Sequence, residues 1–301
     1  MTIVTPMMRQ YQAVKEQYSD CLLFFRLGDF YEMFGQDALT ASRELNIVLT
    51  ARDGGQGQKV PMCGVPHHAA DNYIARLLQS GYKVAVCEQL EDPKLAKGIV
   101  RRDVVRVFTP GTVVEENMLQ QGSHNYLAAC WPEIKRGVES GFGLAYVDIS
   151  SGEFRATQLK GGESRKELSD ELARINPAEL VLPQALADDL LFGQRVSAAI
   201  SRCDGEKLVQ TGFEELLRIH FRTASLEGLG LADKPLAAKA AALILVFLEQ
   251  TQKRSLDYLD KLTVYDAGEY MFLDAATRRN LELTTTIRGG KTQGSLLSVI
   301  D

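Results

Sequence analysis

The sequence predicts an α/β chain with two domains, followed by the start of a third, helical region. Short apolar runs typical of buried strands alternate with stretches in which apolar residues recur at helical spacing. A polar stretch over residues 115–122 separates two such patterns, and a length of 301 residues suits two domains of ordinary size.

The first α/β pattern contains three predicted strands and three predicted helices. The strands are short apolar runs at 21–25, 83–87 and 103–108. The helices have apolar residues at helical spacing over 7–18, 34–45 and 71–79. Glycine-rich turns at Gly28 and at residues 54–57 interrupt these elements.

The second pattern repeats this alternation. Its predicted strands lie at 126–130, 143–149, 153–158 and 180–182. Its predicted helices lie at 163–175 and at 237–250, and the latter is apolar enough to be a buried helix. A new unit with an apolar run at 270–273 and helical spacing over 274–283 begins after residue 257. Because it does not close before residue 301, we expect a fragment of a longer protein.

Composition excludes several classes of protein. The chain is 45% hydrophobic and 24% charged, as in an ordinary globular protein. No apolar run reaches the ~18 residues of a membrane span, and the N-terminus lacks the pattern of a signal peptide. The five cysteines are odd in number and contain no C-x-x-C pair. They indicate reduced thiols and a cytoplasmic protein, and argue against a disulfide framework or a structural zinc site.

Charge is distributed unevenly along the chain. The net charge of −5 excludes a polycation that coats nucleic acid. Residues 1–110 carry 13 basic and 12 acidic side chains, whereas the remainder carry 21 and 27. A surface that faces phosphates is therefore favoured on the first part of the chain.

Residues 28–34 have two interpretations. In the structural one, Asp29 is a helix N-cap, Glu32 completes a capping box, and Phe30 and Phe34 pack in the core. The pattern alone favours this interpretation, because helix caps are far commoner than binding sites. In the functional one, Phe30 is exposed at a rigid turn and wedges between base steps of DNA, and Glu32 accepts a hydrogen bond from a base edge.

Three further patterns fail as sites of chemistry. Residues 289–292 resemble the end of a phosphate-binding loop, but Thr285 occupies the position of its first glycine and no predicted strand precedes it. Asp148 has too few acidic neighbours for a two-metal nuclease, and His67 and His68 lie at no metal-ligand spacing, which favours a loop after Pro66. We therefore predict no catalytic residue, cofactor site or metal site in this chain.

Six motifs resemble the MutS family of bacterial DNA mismatch-repair proteins, and they occur in the family's order. They lie at 5–11, 28–32 (a Phe-x-Glu motif), 61–68 (a Pro-Met-x-Gly-Val-Pro motif), 105–112, 148–152 and 273–282. The resemblance implies a mismatch-recognition domain, a linker, an RNase H-like connector domain and the start of a helical core domain. In this sequence they would span 1–112, 113–123, 124–253 and 254–301.

The resemblance also implies which residues bind and what they bind. Phe30 would insert from the minor groove and stack on a mispaired base, and Glu32 would hydrogen-bond that base. Arg52, in the loop after a helix, and Lys59 are further candidates for contacts with the DNA backbone. The expected partners are double-stranded DNA with mispaired or unpaired bases, a second copy of the whole family member, and MutL through the connector domain.

ATP or ADP and Mg²⁺ would bind the whole family member beyond residue 301, so this chain is not expected to be an enzyme. The alternative function is a protein-interaction module, formed by the connector, that does not bind DNA independently.

Overall fold

The computed structural model describes residues 5–55, 59–91, 98–115, 117–119, 124–135, 138–184, 198–204, 206–269, 275–284, 286–289, 291 and 293–300. The apolar run predicted at 270–273 lies outside these residues. Within them the chain forms two six-stranded sheets and nine α-helices, which confirms the α/β class. No helix in this part of the chain is both long enough and apolar enough to cross a membrane.

Contacts divide the chain into two compact units. The first unit comprises Met1–Leu127, Asp148–Ser151 and Leu245–Tyr258. The second unit comprises Ala128–Val147, Gly152–Ile244 and Leu259–Asp301.

The first unit is built on one mixed sheet. Its strands are β1 (Cys21–Leu27), β2 (Phe30–Phe34), β3 (Thr50–Asp53), β4 (Lys59–Pro66), β5 (Lys83–Gln89) and β6 (Arg102–Phe108). Its helices are α1 (Pro6–Gln17), α2 (Gly35–Leu45) and α3 (Ala70–Gln79). The strand order is β3-β4-β2-β1-β5-β6, with β1 and β5 parallel and the other neighbours antiparallel.

Strand alternation sorts the buried side chains of this sheet into two apolar layers. The layer beneath α2 and α3 includes Phe24, Met33, Ala38, Cys63, Ile74 and Leu77. The layer beneath α1 includes Met8, Tyr11, Leu23, Phe25, Phe34 and Ala85. Each face of the sheet is therefore covered by helices, but the two faces are covered by different ones.

The second sheet has the strand order β11-β10-β7-β8-β9-β12. Its strands are β7 (Tyr126–Lys135), β8 (Val138–Asp148), β9 (Glu153–Lys160), β10 (Glu179–Pro183), β11 (Ala199–Cys203) and β12 (Thr263–Val264). The remaining helices are α4 (Ser164–Ile175), α5 (Glu206–Thr211), α6 (Phe213–Phe221), α7 (Pro235–Gln252), α8 (Ala275–Asn280) and α9 (Leu296–Ile300).

The start of α7 packs directly on β8. A Cβ atom at Gly143 would lie 1.9 Å from the carbonyl oxygen of Leu236, so only glycine allows this approach. The apolar stretch from Ala240 to Leu248 is buried along its length, as its composition predicts.

Candidate nucleic-acid interface

Phe30 follows a tight hairpin turn between β1 and β2. Leu27 pairs with Phe30 across the turn, so Gly28 and Asp29 are its only loop residues. Gly28 has a φ of 58°, and glycine at the first loop position is typical of the type II′ turns that join twisted strands. The predicted strand-to-helix junction at these residues is therefore wrong: a second strand intervenes before the helix.

Hydrogen bonds hold both carbonyl groups of this turn. Arg26 donates from Nε to the carbonyl oxygen of Gly28 at 2.5 Å. The backbone N–H of His67 donates to the carbonyl oxygen of Asp29 at 2.9 Å, and the His67 ring Nδ1 lies 3.1 Å from that same oxygen. His67 and His68 thus belong to a short 3-10 turn after β4, where the sequence predicts an open loop. Phe30 is consequently presented by a fixed element.

Three polar side chains, of which only Tyr31 is buried, stabilise the base of the hairpin. The hydroxyl of Tyr31 donates to Oε1 of Glu88, and Nη1 of Arg26 lies 3.5 Å from the same oxygen. Burial, reinforced by the Glu88 carboxylate, raises the pKa of Tyr31 above its ordinary range, so the hydroxyl remains a neutral donor. These contacts have no local signal in the sequence, because Glu88 lies on β5, far along the chain.

The Phe30 ring is exposed, whereas the phenylalanines around it are core residues. Phe30 exposes 47% of its surface, Phe34 exposes 2%, and Phe24 and Phe25 expose none. The interpretation in which Phe30 packs in the core is therefore wrong. A large aromatic ring with about half of its surface exposed, held on a fixed turn, is available to a partner.

The capping box predicted from Asp29 and Glu32 does not form. Glu32 lies in the middle of β2, which pairs with β1 on one side and β4 on the other. Helix α2 begins only at Gly35, with Phe34 at its N-cap and no side-chain cap. Sheet pairing satisfies the backbone groups of β2 on both sides, and so it overrides the local capping pattern.

Glu32 lies on the same face of β2 as Phe30, because the two residues are two positions apart in a strand. Its carboxylate Oε2 is 2.5 Å from Nη1 of Arg52, and the side chains of Glu32 and Arg52 are 16% and 42% exposed. Arg52 belongs to the strand β3, and the predicted loop at this position is wrong. The structure therefore joins Phe30, Glu32 and Arg52, which are distant in sequence, on one face.

Gly64 keeps the surface beside Glu32 clear. It pairs with Glu32 across β2 and β4. A Cβ atom at Gly64 would lie 3.2 Å from the carbonyl oxygen of Tyr31 and 3.5 Å from Cγ of Glu32. A side chain here would press on the backbone of Tyr31 and lie against the side chain of Glu32. The 61–68 motif contains Gly64, but the sequence alone gives this residue no separate role.

The apolar layer beneath α1 ends before it reaches Phe30. Tyr11 of α1 contacts the rings of Phe25 and Phe34, with ring centroids 5.5 and 4.9 Å apart. Phe30 and Glu32 lie further along the same face and are not part of this layer. We call the four residues Phe30, Glu32, Arg52 and Gly64 the open corner.

Lys59 is not part of the open corner. Val60 and Met62 of β4 pack on the layer beneath α1, so alternation places Lys59 on the face of α2 and α3. Lys59 is exposed at the start of β4 and pairs with Asp53 of β3.

Asp148, at the end of β8, forms hydrogen bonds with neighbouring side chains and backbone. Its carboxylate accepts hydrogen bonds from the backbone N–H and hydroxyl of Ser150 at 2.9 and 2.6 Å, and Oδ2 lies 2.8 Å from Nδ1 of His124. Burial alone would raise the pKa of Asp148, but the hydrogen bonds from Ser150 and His124 outweigh it and lower the pKa below its ordinary value. The described residues contain no group of three His, Cys, Asp or Glu side chains suited to a metal ion. These contacts support a structural role for Asp148 in the turn after β8.

Comparisons with known proteins match nearly the whole chain. The family model for MutS domain I matches residues 5–117, and the model for MutS domain II matches residues 125–260. The chain is 49% identical over 305 residues to the DNA mismatch repair protein MutS of Halothermothrix orenii, with 100% of this chain and 33% of the relative covered. For the protein of the same name from Pelotomaculum thermopropionicum, identity is 50% over 301 residues, with 98% and 34% covered. The chain thus spans about a third of the length of the curated relatives it matches.

Proposed function

Because this chain belongs to the MutS family, of which it carries domains I and II, we propose that its first unit binds double-stranded DNA at mispaired or unpaired bases during mismatch repair. In this proposal Phe30 enters the duplex from the minor groove and stacks on the mispaired base, while Glu32 hydrogen-bonds that base. The observation that supports it most is the exposed Phe30 ring on a turn whose two carbonyl groups are held.

The wedge distinguishes duplexes by how easily they open. Inserting a ring between base steps unstacks them, which takes about a few kcal/mol per step in matched DNA. A mispair is already weakly stacked and paired, so the same insertion there is easier. One aromatic side chain can therefore detect many different mispairs, since it tests deformability and does not read base identity.

Glu32 adds a contact that forms only after the wedge has acted. In a matched duplex the base edges are paired, and a carboxylate near the backbone meets only phosphates, which repel it. At an opened mispair, a base N–H can donate to the carboxylate, and hydrogen bonds to a charged group are among the stronger ones. Glu32 thus contributes to specificity more than to affinity.

The other family functions are part of the same proposal. The second unit, which contains most of the domain II match, would bind MutL and relay the nucleotide state of an ATPase domain outside residues 1–301. That ATPase domain would bind ATP or ADP with Mg²⁺, and the whole protein would act as a homodimer. The edge position of β11 among the described strands and the exposed Ile200 on it favour the interaction module as the second candidate function.

A direct binding comparison tests the proposal. The chain is titrated against a G·T heteroduplex and the matching homoduplex at one fixed salt concentration, because salt strongly affects both affinities. We expect tighter binding to the heteroduplex, and loss of this preference in Phe30→Ala. Leu39→Ala is the matched control, because Leu39 is 41% exposed and lies on α2, on the other side of the sheet. Equal affinity of the unmodified chain for both duplexes, or a preference that survives Phe30→Ala, would contradict the proposal.

A further inference from the structure

We infer that Arg52 determines specificity as an exchangeable counter-ion of Glu32. It neutralises the carboxylate in the free protein and on matched DNA, and it moves to a DNA phosphate when Glu32 binds a mispaired base. This inference rests on the proposed function, because it concerns the same open corner. It changes the predicted role of Arg52 from a constant backbone contact to a conditional one.

The geometry of the pair supports this role. Arg52 reaches Glu32 from β3 with β4 between them, and the contact joins Nη1 to Oε2 at 2.5 Å. Gly64, the residue of β4 opposite Glu32, has no side chain to crowd the carboxylate. The Arg52 side chain is the more exposed of the two, at 42% against 16% for Glu32. It can therefore leave the carboxylate for a ligand on the solvent side without rearranging the sheet.

The electrostatics of DNA binding explain why the carboxylate needs a counter-ion. Glu32 lies next to the ring that would enter the duplex, so an isolated negative charge there would be repelled by phosphates of any sequence. With Arg52 attached, the pair is neutral and the approach to DNA is not opposed. On matched DNA the base edges remain paired, so Glu32 finds no better partner and keeps Arg52.

At a mispair both charges can change partners together. A base N–H made accessible by Phe30 replaces the guanidinium group at the carboxylate, and the guanidinium group binds a nearby phosphate. Exposed ion pairs stabilise folded proteins little, so separating this one has little effect on the fold. Each charge has a partner both before and after the exchange. The exchange is favourable only at a mispair, because only there is a base N–H available to replace Arg52 at the carboxylate.

The salt dependence of binding distinguishes a conditional phosphate contact from a constant one. Each phosphate neutralised by a cation contributes about −0.9 to the slope of log K against log salt concentration. We expect the double variant Glu32→Gln/Arg52→Ala, which removes both charges and leaves no isolated carboxylate, to have a slope shallower than that of the unmodified chain by about 0.9 on a G·T heteroduplex and an unchanged slope on the homoduplex. In the Glu32→Gln background Arg52 has lost its carboxylate, so Arg52→Ala should make the slope shallower by about 0.9 on both duplexes.

The control is Arg43→Ala. Arg43 also forms a surface ion pair, with Glu44 at 3.1 Å, but it lies on α2 away from the open corner. Arg43→Ala should leave all of these slopes unchanged. A slope that is shallower for the double variant than for the unmodified chain on both duplexes would show a constant phosphate contact and overturn the inference. An unchanged slope on both would show a pair that is never released, and would also overturn it.

NMR of the arginine side chains tests the same exchange at protein concentrations that reveal weak binding. We expect the Arg52 guanidinium resonances to move in Glu32→Gln, and to move in the unmodified chain when the heteroduplex, but not the homoduplex, is added. The inference would be overturned if Glu32→Gln left the Arg52 chemical shifts unchanged. It would also be overturned if these chemical shifts changed with both duplexes or with neither. Failure of the proposed function is recognised separately, as a heteroduplex preference that is absent or survives Phe30→Ala.

Discussion

Replacing Phe30 by alanine should abolish mismatch discrimination while reducing stability only modestly. A phenylalanine side chain buries about 150–250 Å² when fully enclosed, and Phe30 exposes 47% of its surface. About 100 Å² is then buried, which at about 25 cal/mol per Å² corresponds to at most about 2.5 kcal/mol. No closed cavity forms, since the ring already faces solvent, so no cavity term adds to this value.

Phe34→Ala is the matched comparison, because Phe34 lies on the same face of the same strand and exposes only 2%. Its loss should reduce the free energy of unfolding by about 3–5 kcal/mol, as for other buried phenylalanines. Urea unfolding followed by circular dichroism measures both variants, and titration with the two duplexes measures discrimination. A loss of about 3–5 kcal/mol for Phe30→Ala would mean that the ring is a core residue, and it would refute the wedge.

Three further predictions follow from the same structure. Glu32→Gln should strengthen binding to homoduplex more than to G·T heteroduplex, because it removes a carboxylate and frees Arg52 for phosphates; unchanged selectivity in the titration would contradict this. Adding ATP should leave the thermal midpoint of the chain unchanged, because residues 289–292 fail the phosphate-loop pattern; a saturable shift that Lys291→Ala removes would show otherwise. Burial raises the pKa values of Cys21, Cys63 and Cys87 to about 12, 11 and 12 from an ordinary 9.0, so the unfolded chain releases protons that the folded chain retains. Stability should therefore be complete below pH 9 and fall above it, and a urea midpoint at pH 10 that equals the one at pH 8 would be inconsistent with these buried thiols.

Elements with a local signal could be predicted from the sequence. The spacing of Phe34, Ala38, Ala41 and Leu45 predicts a helix, and α2 spans Gly35–Leu45. The apolar run at 83–87 predicts the buried strand β5, which extends to Gln89. In both cases the spacing of apolar residues within the segment itself is sufficient, because it shows which side chains are buried.

Strands that depend on distant partners could not be predicted. β4 contains Pro61 and ends at Pro66, and proline argues against a strand in the middle of a sheet. Proline has no backbone N–H to donate to a neighbouring strand. Pro61 is tolerated because the pairing of β4 with β2 ends at Met62, so no residue of β2 is paired with Pro61. Without β4 there is no second partner for β2, and residues 30–34 then resemble the start of a helix.

The candidate site was predictable in part for the same reason. Phe30 and Glu32 follow from the family resemblance, because the local pattern alone favours a helix cap. The pair of Glu32 with Arg52 and the opening at Gly64 depend on the register of β2, β3 and β4. This register brings Arg52 and Gly64, which are 20 and 32 positions away in the sequence, next to Glu32. The sequence alone therefore predicts Phe30 and Glu32 as site residues, whereas the pairing of Arg52 with Glu32 becomes apparent only from the fold.

Photo-crosslinking shows whether the Phe30 ring enters DNA at a mispair. Phe30 is replaced by the photoreactive p-benzoylphenylalanine, and the crosslinked nucleotide is mapped on a duplex with one G·T mispair. The same substitution at Leu39, which is similarly exposed but lies on α2, is the control. We predict a crosslink from position 30 to the mispaired base or the adjacent step, little crosslinking to the homoduplex, and none from position 39. Crosslinks from position 30 spread evenly along both duplexes, or found only from position 39, would contradict the claim.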